Sequence, residues 1–113
     1  MAFEVLRSRG CDRDLAALFD RLAAGYRDLG DSLAEALARA AARVRSVEAT
    51  MAGLGRTAFL GRPRPDLGPG LRQLAADRAV FFFRVDEAAG QVRVLAIAAA
   101  LESRPRGGEG PLP

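Results

Sequence analysis

Six arginines fall between residues 61 and 97: Arg62, Arg64, Arg72, Arg78, Arg84 and Arg93. An arginine keeps its charge at any physiological pH and presents a planar fork of donors suited to a carboxylate or a phosphate. It cannot relay protons. All 17 basic residues are arginine and histidine is missing, so nothing titrates near neutrality unless a carboxylate or the one cysteine is strongly shifted. The chemistry on offer is therefore electrostatic binding. Between Arg56 and Arg84 six arginines stand against Asp66 and Asp77, a local charge of six minus two. A basic patch of that kind suits nucleic acid or an acidic peptide.

The single cysteine, Cys11, cannot form an intramolecular disulfide, which fits a reducing cytoplasm. With no histidine to activate it, it reads as a structural thiol rather than a nucleophile. Neither a metal nor a cofactor is expected. The start MAFEVLRSRG lacks the apolar core of a signal peptide. The longest apolar run, 94–101, is too short for a membrane span. A cytoplasmic protein with no membrane partner is expected.

These arginines need a scaffold, and 113 residues provide one domain. Residues 3–7 alternate apolar and polar and predict a short edge strand ended by Gly10. Leu15, Leu18, Phe19 and Leu22 give the stripe of a first helix of about three turns, with Asp12 and Asp14 at its start. Ser32 and Glu35 match a capping box. Leu33, Leu37, Ala40, Val44, Val47, Met51 and Leu54 then step by fours and threes, which predicts a long helix folded back on the first. Gly53 and Gly55 end it.

Three prolines and three glycines make 61–70 an irregular loop. Leu71–Leu74 reads as a short strand. Arg78–Val85 reads as a strand apolar on both faces, with Val80 and Phe82 on one and Phe81, Phe83 and Val85 on the other. Residues 86–90 form a hairpin turn and 91–97 return antiparallel. The order β–α–α–β–β–β predicts an α+β domain over residues 1–101: a helical hairpin on a three- to four-stranded antiparallel sheet. Residues 102–113 are rich in Pro and Gly and are expected to be a disordered tail. Two-sided apolar character in the Phe-rich strand predicts an exposed apolar patch, a mark of partner sites.

Several fragments in this order resemble the toxins of the RelE/ParE superfamily. Asp14-Leu15 with Ala17-Leu18-Phe19-Asp20 is similar to the family's first helix. Arg64-Pro65-Asp66-Leu67 with Pro69-Gly70-Leu71-Arg72 is similar to the loop and second strand of its ParE-like, plasmid-stabilisation branch. Asp77-Arg78-Ala79-Val80-Phe81-Phe82-Phe83 and Val92-Arg93-Val94-Leu95-Ala96 are similar to its last two strands. The resemblance implies a toxin that inhibits DNA gyrase without catalytic residues of its own. A cognate antitoxin of ribbon-helix-helix type would neutralise it, and contact with specific DNA would come only through that complex. It also implies a binding surface of Arg62, Arg64, Arg72, Arg78, Phe81, Phe82, Phe83, Arg84 and Arg93.

The superfamily's other trade is ribosome-dependent cleavage of messenger RNA, which needs a base, an acid and cations. Here 98–100 are alanines, and the one tyrosine, Tyr26, lies in the helical region. The chain also departs from the ParE-like branch after its last strand, where that branch carries a glycine, acidic and histidine-rich segment. An mRNA endonuclease, or a non-toxic module that only binds antitoxin, are the alternative readings.

Overall fold

The computed structural model describes residues 2–99, so the expected tail at 102–113 lies outside the described residues. The elements are β1 (Glu4–Arg7), α1 (Arg9–Asp28), α2 (Leu33–Ala52), α3 (Leu54–Thr57), β2 (Arg62–Pro63), β3 (Leu71–Ala76), β4 (Ala79–Asp86) and β5 (Gln91–Ala99). A 3₁₀ turn, Ala58–Leu60, links α3 to β2. Five strands form one sheet in the order β1-β5-β4-β3-β2.

The helical hairpin on a small sheet is as expected, with two differences in the sheet. Residues 62–63 add a two-residue edge strand beside β3. The first strand runs parallel to β5, Val5 opposite Val92 and Arg7 opposite Val94, so the sheet is mixed. Beyond Arg7 the outer edge of β5 would be left without partners, and the turn into α1 supplies them. The Ser8 N–H donates to the Val94 carbonyl at 3.0 Å. The Ser8 hydroxyl donates to Leu95 at 3.2 Å and also accepts from the Cys11 N–H, capping α1. The Ile97 N–H then finds the Asp14 carboxylate at 2.8 Å. Strand edges and helix starts both carry orphan backbone groups, and here each satisfies the other.

The first helix is longer than its apolar stripe suggested, running through Gly25 to Asp28, with Gly10 inside its first turn. The capping box at the start of α2 is present: the Ser32 hydroxyl accepts from the Glu35 N–H, and the Glu35 carboxylate accepts from the Ser32 N–H. The α2 seam holds as expected from Ala40 through Val44, Val47 and Met51 to Leu54, and differs only at its start. Ala36, Ala40, Val47 and Met51 are buried, while Leu33 and Leu37 are 56% and 40% exposed. Alanines let α1 and α2 approach closely near the hairpin tip, so the leucines flank the contact instead of filling it. Gly53 caps α2, and Gly55 lies within α3, where its backbone carbonyl accepts from Phe3 N–H at 2.9 Å.

The core lies between the helices and one face of the sheet. Cys11, Leu15, Leu18, Val47, Met51, Leu54 and Ala58 meet Ala79, Phe81, Phe83, Val92 and Val94. Each buried aromatic or branched residue there contributes roughly 1.5–3 kcal/mol of apolar burial. A bulge leaves Leu95 unpaired, since Phe82 faces Ala96 and Phe83 faces Val94. The extra residue keeps both Val94 and Ile97 on the core face.

Candidate functional site

Residues directly opposite in an antiparallel pair share a face, so the register sorts the expected site residues. On the core face lie Phe81 and Phe83, both fully buried, together with Arg72, the partner of Phe83. On the open face lie Phe82 with its partners Gln73 and Ala96, and Arg84 with its partners Leu71 and Arg93. Arg62 pairs with Gln73 and joins the same face. Arg78 is elsewhere, in the two-residue turn between β3 and β4.

Phe81 and Phe83 therefore belong to the hydrophobic core and are closed to any incoming chain, a correction to the expected binding set. The resemblance implies all three phenylalanines, but neighbouring residues of a strand face opposite sides. Only Phe82, half-buried, remains on the accessible side. Arg72 is likewise occupied inside the fold. Its Nη1 donates to the Gly61 carbonyl at 2.8 Å, and its guanidinium lies 5.0 Å from the Phe59 ring centre. Phe59 in turn meets Phe3 edge to face at 5.8 Å.

The remaining arginines differ in how much charge they have to spare. Arg64 grips Asp66 with two bonds of 2.9 and 2.7 Å and also hydrogen-bonds Gln73. This hydrogen-bonded pairing holds the Asp66 carboxyl below the usual carboxylate range and pushes the Arg64 guanidinium up. Arg84 donates through Nε to the Pro69 carbonyl at 2.7 Å, which ties β4 to the 61–70 loop. Arg93 makes no hydrogen bond or ion pair among the described residues. Arg84 and Arg93 stand directly opposite each other. Like charges so placed repel by roughly 0.2–1 kcal/mol unless an anion lies between them. Both also line a cavity of about 560 Å³ at the β4–β5 hairpin with Val85, Asp86, Glu87, Ala88 and Gln91.

The turn holding Arg78 is unusual. Asp77 and Arg78 both have positive φ, 54° and 57°, as a two-residue hairpin turn of this hand requires, at positions where Asn-Gly or Asp-Gly is favoured. The β3–β4 turn is held against α2. Arg43 reaches the Asp77 carboxylate at 2.9 Å and its backbone carbonyl as well, and Ser46 and Thr50 donate to the same carboxylate at 2.7 and 3.3 Å. The Ser46 hydroxyl foremost, with Arg43, keeps the Asp77 carboxyl below its ordinary range.

Cys11 is fully buried, its thiol 3.6 Å from the Met51 sulfur, and burial pushes it up to about 11. It is no nucleophile at neutral pH. Among the described residues no group of three or more His, Cys or acidic side chains could hold a metal, and no helix is long and apolar enough to cross a membrane.

No protein-family profile matches the sequence, and no curated protein matches it. Solved structures do. A chain of the chromosomal ParDE toxin–antitoxin system from P. aeruginosa superposes with a TM-score of 0.64 at 23% identity, covering 87% of this chain and 96% of that one. A chain of the RelBE2 toxin–antitoxin complex from Mycobacterium tuberculosis superposes with a TM-score of 0.57 at 21% identity, covering 88% and 99%. The chain has the RelE/ParE fold. In this RelE/ParE-type domain the arginines divide between three places: the open sheet face (Arg62, Arg64, Arg84, Arg93), the core side (Arg72) and the β3–β4 turn (Arg78). Sequence spacing missed Gln73, which joins Arg64 to the sheet, and the grouping of Tyr26, Arg39 and Arg43 beside Arg78. Arg39 and Arg43 lie one helical turn apart, and that spacing was the available signal.

Proposed function

We infer that the chain is the toxin of a type II toxin–antitoxin system and that the open sheet face receives an acidic segment of its antitoxin. The observation that carries this reading is the opposed pair Arg84 and Arg93, neither ion-paired among the described residues, beside half-buried Phe82. An acidic, partly apolar segment would relieve the repulsion and cover the ring. The fold it shares with chains from two toxin–antitoxin assemblies supports the same reading. A ribbon-helix-helix antitoxin and a cytoplasmic setting remain part of this proposal.

For the target we favour DNA gyrase over the ribosome. The open face bears no histidine, lysine or tyrosine. Tyr26 lines a cavity with Ala79 and Ala99, on the helix-covered side of the sheet. Cations alone can bind a phosphate, but cleavage by a 2′-hydroxyl needs proton transfer as well. Purified protein should block supercoiling by gyrase and leave a ribosome-bound message intact. Cleavage of that message, lost by about 100- to 1000-fold in Arg62→Lys or Arg93→Lys, would replace this reading with an endonuclease. Silence in both assays with tight antitoxin binding would leave a non-toxic binding module.

A further inference from the structure

A second cavity, of about 370 Å³, opens on the helix-covered side at the far end of the sheet. Leu18 and Leu22 of α1 and the paired Ala79 and Ala99 give it an apolar floor, and Tyr26, Arg39, Arg43 and Arg78 complete its lining. None of the open-face arginines touches it.

Its charges can be counted. Arg39 is neutralised by Asp31 at 2.9 Å and lies 3.9 Å from the centre of the Tyr26 ring, so both side chains are held in place. Arg43 is neutralised by Asp77 at 2.9 Å. Arg78 is exposed and makes no hydrogen bond or ion pair among the described residues. Among the described residues one positive charge is left over. The backbone fixes where that charge sits: Arg78 occupies, at φ 57°, one of the two left-handed positions of its hairpin turn. The neighbouring Asp77 is fastened to α2 by Arg43, Ser46 and Thr50, which fixes the Cα of Arg78 beside the cavity.

We propose that this cavity binds a monoanion with an apolar body, a carboxylate carrying an aliphatic or aromatic group. The apolar part would rest on Leu18 and Leu22. The carboxylate would meet the Arg78 fork, with the Tyr26 hydroxyl as a further donor. One uncompensated charge suits a carboxylate better than a phosphate dianion, and a volume of about 370 Å³ has room for a small organic acid. Such a group has two sources, a free small-molecule acid or an acidic residue beside an aliphatic one in a peptide. The site does not depend on the toxin reading.

The test uses the full chain and two probes, 4-phenylbutyrate and N-acetyl-leucyl-glutamate amide, followed by NMR shifts of Tyr26, Leu22 and Ala79. Both acids should shift these signals, whereas 4-phenylbutyramide and inorganic phosphate should bind far more weakly. Arg78→Gly removes the charge and suits the left-handed backbone, so it should keep or raise the melting temperature while weakening the acids by about tenfold or more. Tighter binding of the peptide than of phenylbutyrate assigns the site to a partner chain, and equal binding assigns it to a free acid. The proposal is overturned if Arg78→Gly binds the acids as the parent does, if the amide or phosphate matches the acid, or if neither acid shifts the signals at millimolar concentration.

Discussion

Arg43 on α2 holds Asp77 twice, its guanidinium reaching both the carboxylate and the backbone carbonyl of the same residue. One side chain thereby locks a hairpin turn whose two central residues are not glycine and both have positive φ. Asp77→Ala removes the carboxylate yet keeps the strain, so a loss of about 1–3 kcal/mol is expected. Asp77→Gly loses the same bonds but relieves the backbone and should cost less. Urea denaturation of Arg43→Ala, Asp77→Ala and the double variant should give a coupling of about 0.5–3 kcal/mol, and strict additivity would show the clamp to be idle. The carboxyl is depressed in the fold, so its stabilisation is present above the usual carboxylate range and fades as the pH falls through it.

Cys11 works at the other end of the pH scale. Its thiol rises from 9.0 in the open chain to about 11 in the fold. The unfolded chain therefore loses its proton first, and stability should fall between about pH 9 and pH 11. Cys11→Ala should flatten that alkaline slope, although it lowers overall stability by leaving space beside Met51. Iodoacetamide should leave the native thiol untouched at neutral pH. Rapid alkylation of folded protein would contradict this burial.

Two glycines make an opposed pair of substitutions. A Cβ at Gly55 would lie 2.2 Å from the Phe3 carbonyl oxygen, and backbone cannot yield as a flexible side chain does. Gly55→Ala should therefore push α3 off the chain entering β1 and cost at least about 1–3 kcal/mol. Gly25, inside α1, has nothing within 4 Å of such an atom. Gly25→Ala should stabilise by about 0.5–1 kcal/mol. Thermal melts of the two variants should move in opposite directions.

The open face and the core face should answer differently to charge reversal. Arg93→Glu should weaken antitoxin binding, with an effect that shrinks as salt rises, because an exposed pair contributes under about 1 kcal/mol and is screened. Arg72→Glu should instead lower the melting temperature, since Arg72 holds Gly61 and Phe59 within the fold. Calorimetry with the antitoxin and a melt of each variant would separate the two roles, and unchanged affinity in Arg93→Glu would remove this face from the interface.

Local features were legible in the residues alone. Ser32 and Glu35 specify their cap within three positions, and Asp86-Glu87-Ala88-Ala89-Gly90 reads as a turn between two apolar strands, so both signals are local. The Phe-rich strand, its partner and the helical hairpin could be placed for the same reason. Long-range choices could not. Nothing in residues 4–7 says that they will lie parallel to the last strand, because that choice depends on the far edge of β5 being open. Which phenylalanines face the helices depends on register, and a strand apolar on both faces leaves that open. Nor could the start of the α2 seam be read by size: Ala36 and Ala40 are buried there, while the larger Leu33 and Leu37 are exposed. The unpaired cation at Arg78 was visible as a residue, but its isolation came from Arg43 and Arg39 already being satisfied by Asp77 and Asp31.

The parallel pairing of β1 with β5 bears on how the chain is made. Val5 leaves the ribosome well before Val92, its partner 87 positions later, is synthesised. The sheet cannot be completed on a nascent chain that still holds β5 in the exit tunnel, and closing a loop of that length is a slow step. In a toxin, this topology delays harm until β5 has been synthesised. It would also leave prematurely terminated chains with an unpaired first strand, fit for degradation rather than for action.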